Sequence, residues 1–213
     1  MKIFIKPYLA VVVTITLFSA CGPKTVVTER QDLYPQSIEW IPYIGNEDIS
    51  FIYDTNEMAY SASGKLIYYD YLRYKTDQGG LFEGQKDYFA DFERQTLSFI
   101  SEATPYFITY FLERNKGELG DWDVFKVSVG DGDYYKNEIK IITYESDDSN
   151  KGEDFDFKSE ITLNGITFDS VYFKKQDRRP FELYYTKKLG VIAFKVSATE
   201  IWVLNYDTLS KAL

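Results

Sequence analysis

The sequence predicts a single all-β domain, mainly antiparallel, that is a β-sandwich or an open barrel after an N-terminal signal helix and a tether. Aromatic residues make up 18% of the 213-residue chain. Tyr and Phe alternate with polar residues at a period of two, which is typical of half-buried strands. Asn164-Gly165 lies between two apolar runs and indicates a type I′ hairpin, because that turn needs positive φ at both central residues. Turn-forming residues recur about every 8–12 residues, as in sandwiches and barrels.

The hairpin at Asn164-Gly165 has the best-defined register. Closing the turn there pairs Leu163 with Ile166 and Ile161 with Phe168 on one face. The same register places Thr162 opposite Thr167 on the other face. The apolar residues therefore fall on one face without any shift, which predicts this pairing.

The other strands are predicted from the same alternation. They lie at residues 49–54, 66–74, 92–100, 106–113, 125–129, 138–144, 171–174, 181–186, 191–196 and 201–204. Residues 61–64 (Ser-Ala-Ser-Gly) are expected to connect the first two. Residues 87–99 also show helical spacing, but their composition favours a strand. The sequence has no internal repeat and no sign of a second domain.

The N-terminus has the layout of a secretory signal. Lys2 and Lys6 precede an apolar run at residues 9–18, and the small pair Ser19-Ala20 precedes Cys21. The apolar run is shorter than the roughly 20 residues that span a bilayer. Residues 1–20 are therefore predicted to be a signal peptide, residues 21–36 a flexible tether, and residues 37–213 the β domain.

The residues 17–21 (Leu-Phe-Ser-Ala-Cys) resemble the lipobox of bacterial lipoproteins, with Phe18 where Leu is usual. The resemblance implies cleavage before Cys21 and attachment of acyl chains such as palmitate to its thiol. In those proteins an Asp after the cysteine retains the protein at the inner membrane. Gly22 at that position implies the outer membrane, and the first acidic residue, Glu29, is distant enough to favour the periplasmic leaflet over the cell surface.

Composition excludes several classes of function. Without residues 1–20 the chain keeps 22 basic and 33 acidic residues, a net charge of −11 that disfavours nucleic acid. Cys21 is the only cysteine, so no intramolecular disulfide can form. The absence of histidine removes Ser-His-Asp and Cys-His catalysis and imidazole metal sites. We predict no catalytic, cofactor-binding or metal-ligating residues, and Cys21 as the lipid attachment site.

Four clusters have both a functional and a structural interpretation. The acidic run at residues 145–156 (Glu145, Asp147, Asp148, Glu153, Asp154, Asp156) could hold calcium, but its spacing fails the EF-hand pattern and favours a solvated turn. Asp131-Gly132-Asp133 is interpreted as a hairpin turn. Tyr68, Tyr69 and Tyr71 either form an exposed ladder for a partner or, as we expect, place half of their rings in the core. The basic residues at 174–175, 178–179 and 187–188 favour a solvated hairpin tip.

The C-terminal third also resembles a known group of proteins. Tyr184-Tyr185, residues 190–194 (Gly-Val-Ile-Ala-Phe) and residues 202–204 (Trp-Val-Leu) resemble the tail of small Gram-negative lipoproteins of unknown function. Trp40-Ile41-Pro42 resembles the start of their folded domain. The resemblance implies a β domain and no particular activity.

These observations together predict an outer-membrane lipoprotein with a non-catalytic structural or protein-interaction role. The membrane, through the lipid on Cys21, and an envelope protein are the expected partners. One alternative is a binder of a small apolar or glycan ligand in an aromatic-lined β cavity. A remote alternative is a carboxylate-based hydrolase with two acids facing one cleft.

Overall fold

The protein is built on one curled, mainly antiparallel sheet that forms a half-barrel, which confirms the all-β prediction. The computed structural model describes residues 23–79, 84–117, 120–131, 136–145, 153–176 and 180–209. The strands are β1 (Lys24–Val27), β2 (Asp48–Tyr53), β3 (Asn56–Asp77), β4 (Lys86–Ile100), β5 (Phe107–Lys116), β6 (Asp121–Gly130), β7 (Lys136–Glu145), β8 (Asp156–Leu163), β9 (Ile166–Lys175), β10 (Glu182–Thr186), β11 (Gly190–Lys195) and β12 (Ile201–Leu204). Two single-turn helices accompany them, α1 (Pro35–Ile38) and α2 (Tyr206–Leu209).

The strand order is β7-β6-β5-β4-β3-β2-β12-β11-β10-β9-β8, and β1 adds to β4 in parallel. The two ends of this order approach each other where the sheet curls. The amide of Asp154 donates to the carbonyl of Lys140 over 3.0 Å. The side chain of Asn137 on β7 donates to the carbonyl of Lys174 on β9 over 3.1 Å. Curling thus brings the first and last strands together around a common interior.

The interior is filled by alternate side chains from the concave face and by the N-terminal segment. Buried residues alternate along β5 and along residues 95–99 of β4, as the period of a strand requires, and β6 and β7 add further buried side chains. These residues include Leu97, Phe99, Ile108, Tyr110, Leu112, Phe125, Val127, Ile139 and Ile141. Residues 33–43 run into the concave side, where the ring of Trp40 lies 5.6 Å from that of Phe125. The segment therefore belongs to the core.

Three buried tyrosines tie this segment to the sheet. The hydroxyl of Tyr43 donates to the carbonyl of Leu189 over 2.6 Å, and that of Tyr185 donates to the carbonyl of Trp40. The hydroxyl of Tyr110 accepts from the amide of Val191 over 2.9 Å. Burial raises the pKa of Tyr43, Tyr110 and Tyr185 above the usual value, so each hydroxyl stays neutral. Each ring thus packs in the core while its polar end is satisfied.

The predicted hairpin register is confirmed. Leu163 pairs with Ile166 and Ile161 with Phe168. Residues 86–100 form a strand, as favoured over a helix. β9 continues through Ser170, which has a φ of 54°, so the expected separate strand at 171–174 is the end of β9.

Two expectations about the first part of the domain are wrong. Residues 61–64 do not connect two strands but lie inside β3, where a register shift with β4 accommodates Gly64 at a φ of 93°. The turn after β2 comes earlier, at Asp54, whose φ is 55°. The expected flexible tether is instead paired with β4 from Lys24 onward. The β-branched residues at 25–28 explain this pairing, because such residues suit a sheet.

We predict that Gly190→Ala destabilises the domain by roughly 3 kcal/mol, because a new Cβ overpacks the core at a positive φ. Gly190 has a φ of 76°, and a Cβ there would lie 2.6 Å from Cε2 of Tyr43. Gly165→Ala is the matched control. Its φ is 80°, but nothing lies within 4 Å of the added Cβ. It should lose about 1 kcal/mol in urea unfolding, and equal losses for the two variants would contradict the packing argument.

Candidate functional site

The candidate functional site is a ribbon that extends from the half-barrel. β2 pairs only with residues 56–61 of β3, and β5 pairs with β4 only from Arg94 onward. Residues 65–77 of β3 therefore extend beyond β2. Residues 86–94 of β4, which pair with residues 68–77, extend up to the point where β5 pairing begins, with β1 on the other side of β4. We call these residues and β1 the ribbon. Among the described residues no strand pairs with the outer edge of β3 along it.

The outer edge of β3 carries apolar side chains on both faces. We define the β3 edge as residues 65–73, which pair with β4 in a regular register between two register shifts. Leu66 and Leu72, on one face, are 57% and 41% exposed. Ile67 and Tyr71, on the other, are 53% and 50% exposed. Soluble proteins normally protect such edges with charges, proline or bulges. Here Lys65, Arg73 and the register shifts lie at the two ends of the edge, and residues 66–72 between them carry only one charge, so this part is suited to pairing with another chain.

The tyrosines of the β3 edge do not line the core. Tyr68 and Tyr69 are half-buried and Tyr71 is exposed, so the expectation that half of these rings are in the core is wrong. The ring of Tyr71 stacks on Phe89 at 5.0 Å. The guanidinium of Arg30 lies 3.7 Å from the centre of the Tyr69 ring. These contacts hold the rings in place at the surface, where they can meet a partner.

Two carboxylates on the ribbon are bound by neighbouring side chains. Nε of Arg94 lies 2.8 Å from Oδ2 of Asp70, and Arg94 also binds Glu113, its partner on β5. The hydroxyl of Thr76 donates to Asp87 over 2.7 Å, and this hydrogen bond holds the pKa of that carboxyl below its usual value. Asp70 and Asp87 are therefore each bound by a neighbouring side chain.

The N-terminal segment is fastened along the ribbon by its backbone. The amides of Lys24, Thr28 and Gln31 each donate over 2.8 Å to carbonyls of residues 85–91. Further along, the amide of Leu33 donates to the carboxylate of Glu93 over 2.9 Å. Glu93 is buried, so this bond is shielded from water. Attachment thus begins at Lys24 and continues into the core.

A buried ion pair completes the attachment. Asp123 is fully buried and accepts the amide of Tyr34 over 2.8 Å and Nη1 of Arg114 over 3.1 Å. Arg114 also lies 4.2 Å from the centre of the Tyr34 ring. Burial raises the pKa of Asp123, while the bonds from Tyr34 and Arg114 act in the opposite direction. The pair therefore depends on both partners being present.

Cys21, Asp147, Asp148, Asp133, Arg178 and Arg179 lie outside the described residues. In the acidic run, the carboxylate of Glu153 accepts the amide of Ile142 over 3.2 Å, and Asp154 pairs with Lys174. Nζ of Lys187 lies 2.7 Å from Glu39. Within the described ranges no three His, Cys, Asp or Glu side chains are grouped to hold a metal ion.

A groove of about 760 Å³ lies at the other end of β3 from the ribbon tip. Its lining includes Asp54, Asp207, Tyr53 and Tyr206. Both carboxylates are exposed, whereas the general acid of a glycosidase is kept protonated by apolar surroundings. The groove therefore gives the hydrolase hypothesis no support.

No protein-family model, no curated protein and no solved structure matches this chain. Within the part of the chain that the structure describes, no helix has the length and apolar composition needed to cross a bilayer.

We predict that Arg114→Met costs about 3–5 kcal/mol, because it leaves the carboxylate of Asp123 buried and unpaired. Arg114→Met with Asp123→Asn should lose only about 1–2 kcal/mol, since the amide oxygen can still accept from Tyr34. Urea unfolding of both variants and of Asp123→Asn measures the coupling.

The pH dependence provides a second measurement on the same variants. Because burial raises the folded-state pKa of Asp123, the folded chain binds its proton more tightly than the unfolded chain. The loss in Arg114→Met should therefore shrink as the pH falls from neutral toward the ordinary carboxyl range. A loss that is independent of pH, or equal in the single and double variants, would contradict the buried pair.

Proposed function

We propose that this chain is an outer-membrane lipoprotein, anchored through Cys21, that binds an envelope protein without catalysis. The exposed β3 edge is the observation that supports binding most directly. The signal layout at residues 1–20, followed by the lipobox-like residues 17–21, supports the anchor. Gly22 supports the outer membrane, and the lack of acidic residues before Glu29 supports its periplasmic leaflet.

The partner suited to the β3 edge is an extended segment of another protein. A free edge offers unpaired N–H and C=O groups, to which an added strand forms main-chain hydrogen bonds. Leu66 and Leu72 on one face, with Ile67 and Tyr71 on the other, favour a segment with apolar side chains at consecutive positions. Asp70 is already paired with Arg94, so it does not repel an apolar segment.

A second copy of this chain fits the edge less well. Antiparallel pairing of two β3 edges would place the two Lys24 residues at opposite ends of the assembly, because Lys24 lies beside Lys86 at the far end of the ribbon. Two lipid anchors inserted in the same leaflet lie at the same height. They therefore cannot lie at the two ends of a dimer whose β3 strands run perpendicular to the membrane. The membrane therefore favours a different protein as the partner.

The packed interior favours this role over the alternative of a ligand held inside the barrel. Tyr110, Phe125 and Tyr185 are fully buried there, and Trp40 and Tyr43 pack against them. Small-molecule sites are concave and mostly apolar, whereas here aromatic rings of the chain itself occupy the concave side.

We predict that Cys21→Ser abolishes acylation and releases the protein from the membrane, because the thiol is the attachment atom. The measurement is incorporation of an alkyne-labelled fatty acid in a Gram-negative host, followed by membrane fractionation. Ser19→Thr, next to the cut, is the control and should keep the label. Equal labelling of wild type and Cys21→Ser would refute the anchor.

We also predict that a photoreactive residue at Ile67 and one at Leu72 crosslink to the same protein in the envelope. The two side chains lie on opposite faces of β3, so only a segment lying along the edge contacts both. Ile44, which is 77% exposed, is the control position and should give no such product. Tyr69→Pro, at the middle of the edge and at a position whose amide faces away from β4, should remove both crosslinks because an added strand loses a main-chain donor there. Products from Ile44 as abundant as those from the edge, or products from one face alone, would count against strand addition.

A further inference from the structure

We infer that β1 holds the tip of the ribbon against the membrane surface, so that the domain stands upright on a short connection. The ribbon tip is the end at which Lys24, Asp77 and Lys86 lie side by side. The surface that it meets is a phospholipid headgroup layer. This inference rests on the proposed acylation of Cys21 and adds the orientation of the domain.

The connection between the anchor and the folded domain is short. Lys24 is the first paired residue, and it lies three positions after Cys21. A fully extended chain covers at most about 3.6 Å per residue, so these three steps span about 11 Å whatever their conformation. The headgroup region of a bilayer is itself several ångströms deep on each side. The ribbon tip therefore cannot leave the vicinity of the headgroups while β1 stays paired.

From Lys24 to Tyr34 the N-terminal segment is held to the rest of the domain by hydrogen bonds. Its backbone is bonded to β4 at Lys24, Thr28 and Gln31, and the buried carboxylates of Glu93 and Asp123 hold the amides that follow. Peeling β1 away would leave the backbone of residues 86–89 unpaired on that side. The attachment therefore resists lengthening of the connection by fraying.

The rest of the domain points away from the membrane. β3 spans 21 steps from Asn56 to Asp77, which is about 70 Å along the strand at roughly 3.3 Å per residue. The turn at Thr55 and the groove with Asp54 and Asp207 therefore lie at the far end. The β3 edge lies between the two ends, within reach of a partner in the periplasm.

The charge of the ribbon tip suits a headgroup surface. Lys24, Lys75 and Lys86 lie at this end with Asp77 and Asp87, and Glu83 follows Asp77 in the sequence, so this stretch carries no excess negative charge on a mature chain of net charge −11. Nζ of Lys75 lies 5.5 Å from the centre of the Tyr88 ring. Lysines and tyrosines are typical of residues that meet the membrane interface. Anionic headgroups therefore repel the acidic remainder of the domain more strongly than this end.

The experiment measures the height of two positions on the acylated chain. Because acylation blocks the only native thiol, a single introduced cysteine carries the fluorophore. Asp77→Cys labels the ribbon tip and Thr55→Cys labels the other end of the same strand. The proteins are reconstituted in phosphatidylethanolamine vesicles that contain some phosphatidylglycerol and an acceptor dye on the headgroups. We expect severalfold more energy transfer from position 77 than from position 55.

A variant with about ten Gly and Ser residues inserted between Gly22 and Pro23 tests the role of the short connection, since a flexible linker of that length reaches about 18 Å on average. Transfer from position 77 should fall while transfer from position 55 stays low. Equal transfer from the two positions, or unchanged transfer from position 77 after the insertion, would overturn the inference.

Mass spectrometry of the same preparations separates this inference from the proposed function. Acyl groups on Cys21 with equal transfer from both positions would refute the orientation and leave the anchor intact. A chain without acyl groups would refute the anchor, and with it the basis of the orientation.

Discussion

The structure depends on filling the concave side of a curled sheet. A half-barrel exposes the inner faces of its strands unless other residues cover them, and here residues 33–43 do so. Trp40 and Tyr43 supply the largest rings of this segment, and Tyr185 binds its backbone at Trp40. The core of the sheet is therefore complete only when the N-terminal segment is packed against it. This packing connects distant parts of the chain, since Tyr43 binds Leu189, 146 residues away.

The polar groups that position this segment are buried with it. Glu93 and Asp123 accept the amides of Leu33 and Tyr34, which would otherwise lack partners at the point where the chain leaves β4 and enters the interior. Carboxylates accept stronger hydrogen bonds than neutral groups, but their burial requires a cation. Arg114 supplies it for Asp123, so one arginine on β5 secures the path of the N-terminal segment.

Sequence patterns predicted most strands because the apolar alternation and the turn residues were local. The Asn164-Gly165 hairpin shows this, since turn chemistry and side-chain pairing give the same register. The length of β3 was not predictable in this way, because Gly64 is typical of a connection and only the pairing with β4 makes it part of a strand. The pairing of β1 was missed for a related reason: β1 has only four residues, and its partner lies about sixty residues later. The free edge of β3 could not be predicted either, because it depends on where the neighbouring strand β2 ends and the residues of β3 do not encode that position.

The proposed membrane anchor would explain how the protein can carry an exposed β3 edge, because pairing of β1 with β4 limits how two anchored copies can meet. A long apolar edge on a freely diffusing protein is an aggregation hazard, because two copies can meet in any orientation. If the proposed anchor holds copies at their ribbon tips on one surface, their β3 strands meet only in the same direction, and parallel pairing is slightly less stable than antiparallel pairing. Fastening Lys24 to β4 thus disfavours self-association while leaving Ile67 and Leu72 open to a segment that arrives from the other direction. The short connection to the proposed anchor would then allow the domain to keep an exposed edge for the proposed partner.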